Sequence, residues 1–171
     1  MPTDTIYGIV GSALLPETVE KIYQLRKRAK DKPFIILISS LRDLNKFNVK
    51  LTQKQKDVLE KNLPNSLSVV LPCDSEKFLY LHRGTKSLAF RMPKNEKLVE
   101  ILQETGPLVA PSTNFEGEKE SETIDEAKKY FGDDVAFYMD GGRINSQPST
   151  LIKLENDGSY KILRKGSFNL P

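Results

Sequence analysis

The chain has 171 residues, with 26 basic against 23 acidic, a formal net charge of +3, one cysteine and one histidine. A single domain of this length can bury roughly 70% of the surface its unfolded form exposes, and 38% hydrophobic with 29% charged residues is the balance of an ordinary soluble domain. One cysteine excludes an internal disulfide framework, one cysteine with one histidine argues against a metal site, no apolar run has the length of a membrane span, and Met1-Pro2-Thr3-Asp4 lacks the pattern of a signal peptide, so a cytoplasmic protein is expected.

In chain order, Pro16-Glu17-Thr18 opens a helix, with proline in the first turn and an acid complementing the dipole. Val19, Ile22 and Tyr23 fall on one face, and Arg26 continues that line, so Arg26 is expected to lean inward and Lys27 outward. The helix is expected to run to Asp31-Lys32-Pro33. Phe34 to Ile38 is an unbroken apolar run, the pattern of a strand covered on both faces. A short helical turn follows Ser39-Ser40, then a polar helix from Thr52 to Lys61 with Val58 and Leu59 inward. Strands are expected at Leu67 to Leu71 and Ser87 to Arg91. A helix follows at Lys97 to Gln103, then a short strand at Leu108 to Ala110 and a capped helix from Thr123 to Tyr130. A further strand is expected at Val135 to Met139, and a closing hairpin of Thr150 to Leu154 with Tyr160 to Leu163 around Asn156-Asp157-Gly158. Strands alternating with helices and ending in a hairpin give an α/β domain with a mixed, twisted sheet, in which ligands collect where loops leave the strand ends.

Four polar clusters sit at element ends: Pro2-Thr3-Asp4-Thr5-Ile6-Tyr7-Gly8; Arg26-Lys27-Arg28 with Lys32-Pro33; Ala110-Pro111-Ser112-Thr113-Asn114; and Ser149-Thr150 with Arg164-Lys165-Gly166. Each has a plain structural alternative: a helix cap, a solvated helix end, a polar turn, a strand end. Neither a Walker phosphate loop nor a glycine-rich dinucleotide fingerprint is present, and His82 reads as a surface residue in a polar loop. The six basic residues Lys21, Arg26, Lys27, Arg28, Lys30 and Lys32 fit either a solvated helix end or a site for a polyanion such as ATP or RNA.

Taken together and in order, these segments resemble the YrdC (TsaC) family. P-T-D-T-I-Y-G-I is similar to its P-T-[DE]-T-V-Y-G-L signature, Arg26 to Ile35 to its K-x-R block, Ser112-Thr113-Asn114 to its S-x-N, and Ser149-Thr150-Leu151-Ile152 to its S-T-V-[VI]. Ser87 to Pro93, Asp140-Gly141-Gly142 and Arg164-Lys165-Gly166 resemble its R-x-P strand, D-G-G and R-x-G. The sequence departs at Arg26, where the family has lysine, at Ala29 for proline, and at Lys32 for asparagine. Arginine and lysine are not interchangeable at a site that needs a compact ammonium, and Ala29 is expected to lengthen the first helix slightly. Family chains carry a strand before the P-T-D-T block and, in longer members, a C-terminal extension domain. The resemblance therefore implies one domain over 1–171 without that first strand or extension.

The resemblance implies a deep, positively charged cavity and a nucleotidyltransferase that condenses L-threonine, bicarbonate or CO2 and ATP to threonylcarbamoyl-AMP and pyrophosphate. Such a product is handed to a tRNA threonylcarbamoyl transferase complex for modification of adenosine 37. It further implies catalytic roles for Arg26 and Arg28; nucleotide contacts from Arg28, Lys32, Ser87, Ser112, Asn114 and Arg164; and L-threonine contacts from Thr3, Thr5, Arg91 and Ser149. Mg²⁺ is expected on the ATP phosphates, without a dedicated protein cage. The alternative is a non-catalytic module of the same fold that binds tRNA or double-stranded RNA through its basic stretch.

Overall fold

The computed structural model describes residues 1–170. Helix α1 (Pro16–Leu25) buries Val19, Ile22 and Tyr23, as its periodicity predicts. It ends earlier than expected. Lys27 adopts φ +51°, the Lys27 N–H returns to Gln24 O at 3.0 Å and the Arg28 N–H to Tyr23 O at 3.1 Å. This paired 5→2 and 6→1 closure is a Schellman stop built on a lysine, so Ala29 lies outside the helix and does not lengthen it. The stop turns the Arg26-Lys27-Arg28 block off the helix axis, with Arg26 buried and Lys27 exposed.

Strand β2 (Ile35–Leu37) is covered on both faces: Ile36 and Ile38 join the main core, and Leu37 packs with Leu98, Leu102 and Leu108. A 3₁₀ turn at Leu41–Phe47 is capped by a Ser40/Asp43 box. Helix α2 (Gln53–Asn62) is capped by Thr52 and buries Leu59; it also buries Gln55, whose carbonyl completes the capping box on the Thr52 N–H. Strand β3 is Leu67–Pro72, the short helix α3 is Leu79–His82, and β4 is Ser87–Arg91. Helix α4 (Glu96–Thr105), β5 (Leu108–Val109), α5 (Ile124–Phe131), β6 (Thr150–Leu154) and β7 (Tyr160–Arg164) complete the chain.

With β1 at Gly11–Ser12, the seven strands form one mixed sheet in the order β1-β5-β2-β4-β3-β6-β7. The pairs β2/β4 and β3/β6 are parallel and the rest antiparallel. Strand β1 (Gly11–Ser12) lacks any apolar alternation and was not expected; it lies close against α1, where a Cβ on Gly11 would collide with the Thr18 methyl.

Two further expectations fail. Val135 to Met139 forms no strand; Val135 and Tyr138, three positions apart, pack on the core while Phe137 is 71% exposed, so this apolar run is anchored by side chains without a partner ladder. His82 is buried, not a surface residue. It ends α3, accepts the Gly84 N–H on Nδ1 at 3.1 Å, and lies 3.3 Å from Ser75 O on Nε2, so its polar sequence neighbours conceal a satisfied core histidine.

Candidate functional site

The Thr3-Asp4-Thr5 segment is a tight turn, closed by the Thr3 N–H to Ile6 O at 3.2 Å and by a bridge between Pro2 and Tyr7. It is not a helix cap. Tyr7 is fully buried; its hydroxyl donates to Gly142 O at 2.7 Å and accepts the Gly141 N–H at 2.8 Å. Asp140-Gly141-Gly142 thereby anchors the turn from outside the sheet. On its other side the turn is sewn to the Ser112 loop by the Gly8/Ser112 bridge and by the Thr113 N–H to Tyr7 O at 3.1 Å.

This packing leaves a cavity of about 330 Å³. Nine of the expected site residues line it: Thr3, Thr5, Arg26, Arg28, Ser87, Arg91, Ser112, Ser149 and Arg164. Two do not. The Lys32 ammonium is outside, held 2.5 Å from Glu116. Asn114 sits behind the cavity surface, where its Oδ1 and O accept Arg26 at 2.7 and 3.0 Å. The Arg26 guanidinium also reaches Ser112 Oγ at 3.2 Å. Its fork thus spans three acceptors, a geometry a lysine ammonium would not reproduce. Burial and the neighbouring Arg28 charge pull Arg26 down to about 10, still a cation near neutral pH.

Arg91 enters from β4. Its two terminal nitrogens lie 3.2 Å from Thr5 Oγ1 and 3.4 Å from Thr3 Oγ1, and Asp4 pairs with it at 3.0 Å. Both side chains are about 5% exposed. Burial lowers Arg91 and raises Asp4, and each charge opposes the shift of the other. The cavity thereby meets the hydroxyls of Thr3 and Thr5 together with the Arg91 guanidinium, whose charge is already balanced by Asp4. Sequence reasoning missed Asp4 as the partner; the signal was an acid between two hydroxyls with a buried arginine in the chain.

Arg164 leaves the end of β7 and donates to Ser149 O at 2.9 Å and to Ser149 Oγ at 3.3 Å. Ser149 is tied in turn to Ser68 by a 2.8 Å hydroxyl contact. Gly166 closes this corner: a Cβ there would meet Ser149 C at 2.5 Å and collide with Pro148 O. Arg28 lies at the cavity with its Nε on Lys32 O at 3.1 Å and its guanidinium 5.5 Å from the Phe34 ring centre. The ionisable lining is therefore Arg26, Arg28, Arg91 and Arg164 with a single acid, Glu120. Such a set, flanked by hydroxyls, is chemically suited to a ligand carrying several negative charges.

The basic stretch does not form one free patch. Arg26 is buried, Lys30 pairs with Glu20 at 2.6 Å, Lys32 pairs with Glu116, and the Lys27 ammonium stands 4.0 Å over Phe115. Among the described residues no group of three or more His, Cys, Asp or Glu could hold a metal ion, and no helix is long and apolar enough to cross a membrane.

The Sua5/YciO/YrdC domain family, described as telomere recombination, matches residues 1–166. The chain belongs to this family. Among its relatives, the threonylcarbamoyl-AMP synthase of Bacillus subtilis is 28% identical over 96% of this chain and 48% of its own length. The threonylcarbamoyl-AMP synthase of Pseudoalteromonas translucida is 27% identical over 94% of this chain and 88% of its own. The structure of Pyrococcus abyssi Sua5 complexed with L-threonine superimposes with a TM-score of 0.86 at 28% identity, covering 96% of this chain and 49% of that one. The chain thus spans about half the length of the Bacillus and Pyrococcus proteins. The fold expected from the Sua5/YciO/YrdC motifs, an α/β domain with a mixed sheet, is the fold observed.

Proposed function

We propose that this chain is a nucleotidyltransferase that makes threonylcarbamoyl-AMP from L-threonine, bicarbonate or CO2, and ATP. The observation that carries the reading is the cavity itself. Four arginines from three separate segments converge with Thr3, Thr5, Ser112 and Ser149 on one space of about 330 Å³, in a family whose Pyrococcus member was solved with L-threonine.

The chemistry has two steps. The threonine amine attacks the carbon of CO2, forming a C–N bond and losing a proton to give a carbamate. A carbamate oxygen then attacks the α-phosphorus of ATP; the bond to the bridging oxygen breaks and pyrophosphate leaves. Little covalent work falls to the protein, so holding and neutralising charge supplies the rate. Arg26 and Arg28 are assigned to the phosphates, with Arg26 locked by Ser112 and Asn114. Arg164 and Ser87 extend the nucleotide side, and Asn114 serves it indirectly. Thr3, Thr5 and Ser149 orient the amino acid. Arg91 is suited to its carboxylate, chiefly by hydrogen bonding, because Asp4 balances its charge. Lys32 takes no part in this reading, since Glu116 holds it outside the cavity.

Magnesium would accompany the triphosphate. Asp4 is committed to Arg91 and Glu120 is the only carboxylate in the lining, so the phosphates and water would supply most of its ligands. The product suits transfer to adenosine 37 of tRNA by a separate complex. Threonine-dependent release of pyrophosphate from ATP tests the assignment; release unaffected by threonine counts against it.

A further inference from the structure

Residues 116, 118, 120 and 122 are all glutamates in one loop, and their side chains have different fates. Glu116 binds Lys32 and accepts the Ala29 N–H at 2.7 Å. Glu122 pairs with Lys119 at 2.8 Å and with Arg143 at 2.6 Å. Glu120 is exposed and makes no ion pair or side-chain hydrogen bond among the described residues, yet it borders the cavity together with Arg26, Arg28 and Arg164. Its charge acts on both Arg26 and Arg164.

The loop holds Glu120 in that position from both sides. Before it, the Tyr130 hydroxyl donates to Lys119 O at 2.9 Å and Asn114 Nδ2 donates to Glu118 O at 2.8 Å. After it, the Ser121 hydroxyl donates to Thr113 O at 2.6 Å. Asn114 is also the residue that grips Arg26, so the acid and the arginine are referenced to one side chain.

We infer that Glu120 is a specificity-determining residue of the cavity: an unpaired carboxylate that opposes polyphosphate at the Arg26/Arg164 side and thereby weakens retention of ATP and of the pyrophosphate product. This rests on the reading of the cavity as a nucleotide site. A carboxylate beside a triphosphate is a like-charge contact, felt through a partly solvated gap. Its cost scales with the charge of the ligand, so it discriminates against polyphosphate and leaves a neutral nucleoside unaffected.

Isothermal titration of the full chain with ATP, pyrophosphate and adenosine tests this, using Glu120→Gln and, as a charge-matched control in the same loop, Glu118→Gln. Glu120→Gln is expected to tighten ATP and pyrophosphate roughly three- to tenfold, with adenosine unchanged and Glu118→Gln like the unsubstituted protein. The KM for ATP falls and that for threonine does not. Unchanged affinity in Glu120→Gln overturns the inference, as does equal tightening in Glu118→Gln, which would make the effect one of net charge. Weaker ATP binding seen only with Mg²⁺ also overturns it, since Glu120 would then be a ligand to the metal. Failure of the unsubstituted protein to bind ATP at all refutes the nucleotide reading itself, a result distinct from each of these.

Discussion

At the scale of single residues, the site is a set of cations each held by neutral acceptors, with one exception, Arg91. Arg26 is spread over Ser112 Oγ, Asn114 Oδ1 and Asn114 O, and Arg164 over Ser149. Arg91 is balanced by Asp4, and Arg28 is the least restrained, with one hydrogen bond to Lys32 O. Arg28 is therefore the arginine most able to follow a phosphate through the reaction. Arg28→Ala is expected to lower turnover roughly 10²-fold while leaving the unfolding midpoint nearly unchanged, because the side chain is only half-buried; steady-state rates beside a urea titration check both. Near-normal turnover would remove Arg28 from the reaction. Most of these residues were legible in the sequence because the motif carried them. Asn114 was legible as a site residue but not as the holder of Arg26, and Glu120 was not legible, since nothing local separates it from its three neighbouring glutamates. Only the fold decides which of the four borders the cavity.

At the scale of elements, local chemistry decides most boundaries. Thr52, Asn95 and Thr123 each accept an N–H of the helix they precede; of these the Thr123 start was read from the sequence as a cap. The end of α1 was not, because a lysine in the left-handed region has no sequence signature comparable to glycine. The missing strand at Val135 to Met139 shows the limit of a short apolar run as a strand signal: a strand needs a neighbour to pair with, and a pattern cannot supply one. Two predictions belong here. Asp43 caps the 3₁₀ turn, accepting the Ser39 N–H at 2.9 Å and the Ser39 hydroxyl at 2.8 Å, and pairs with Lys46 at 2.7 Å. Burial opposes its charge, but Lys46 and the Ser39 donors outweigh it and hold the carboxyl below its ordinary 3.8. A depressed folded value means that the unfolded chain takes up the proton first as pH falls. The contribution of Asp43 is therefore complete well above 3.8 and lost as pH drops below it. Asp43→Asn is expected to cost about 1 kcal/mol at neutral pH and to flatten the acid limb of a melting-temperature profile; an unaltered limb would contradict this.

Gly166 is the second case. The space for its Cβ is filled by backbone of Pro148 and Ser149, which cannot rotate away. Gly166→Ala is expected to destabilise by about 1–3 kcal/mol and, by displacing the strand end that carries Arg164, to raise the KM for ATP more than that for threonine. Denaturant titration and steady-state kinetics together read both effects; equal changes in the two constants would mean that the corner does not serve the nucleotide.

At the scale of the whole molecule, the sheet order explains how segments from both ends of the chain share one cavity. The parallel pair β3/β6 sets Ser149 beside Ser68, and the β4 register sets Arg91 opposite Ser68. The Tyr7 anchor brings the first turn onto the Asp140-Gly141-Gly142 segment. The α/β class was legible from the alternation of strands and helices, whereas the candidate site rested on the resemblance and the strand order came only from the structure. The basic stretch illustrates the difference between composition and structure: Lys30, Lys32 and Arg26 are committed to Glu20, Glu116 and the Ser112 loop, so the stretch is not one continuous free patch for a duplex of RNA.

The measurement that tests the central claim most directly supplies ATP, Mg²⁺ and ¹³C-labelled bicarbonate, with and without L-threonine, and reads pyrophosphate and the nucleotide product by mass spectrometry. The account predicts pyrophosphate release only with threonine, matched by threonylcarbamoyl-AMP carrying the label. Release that ignores threonine, or a nucleotide product without the labelled carbon, would contradict it.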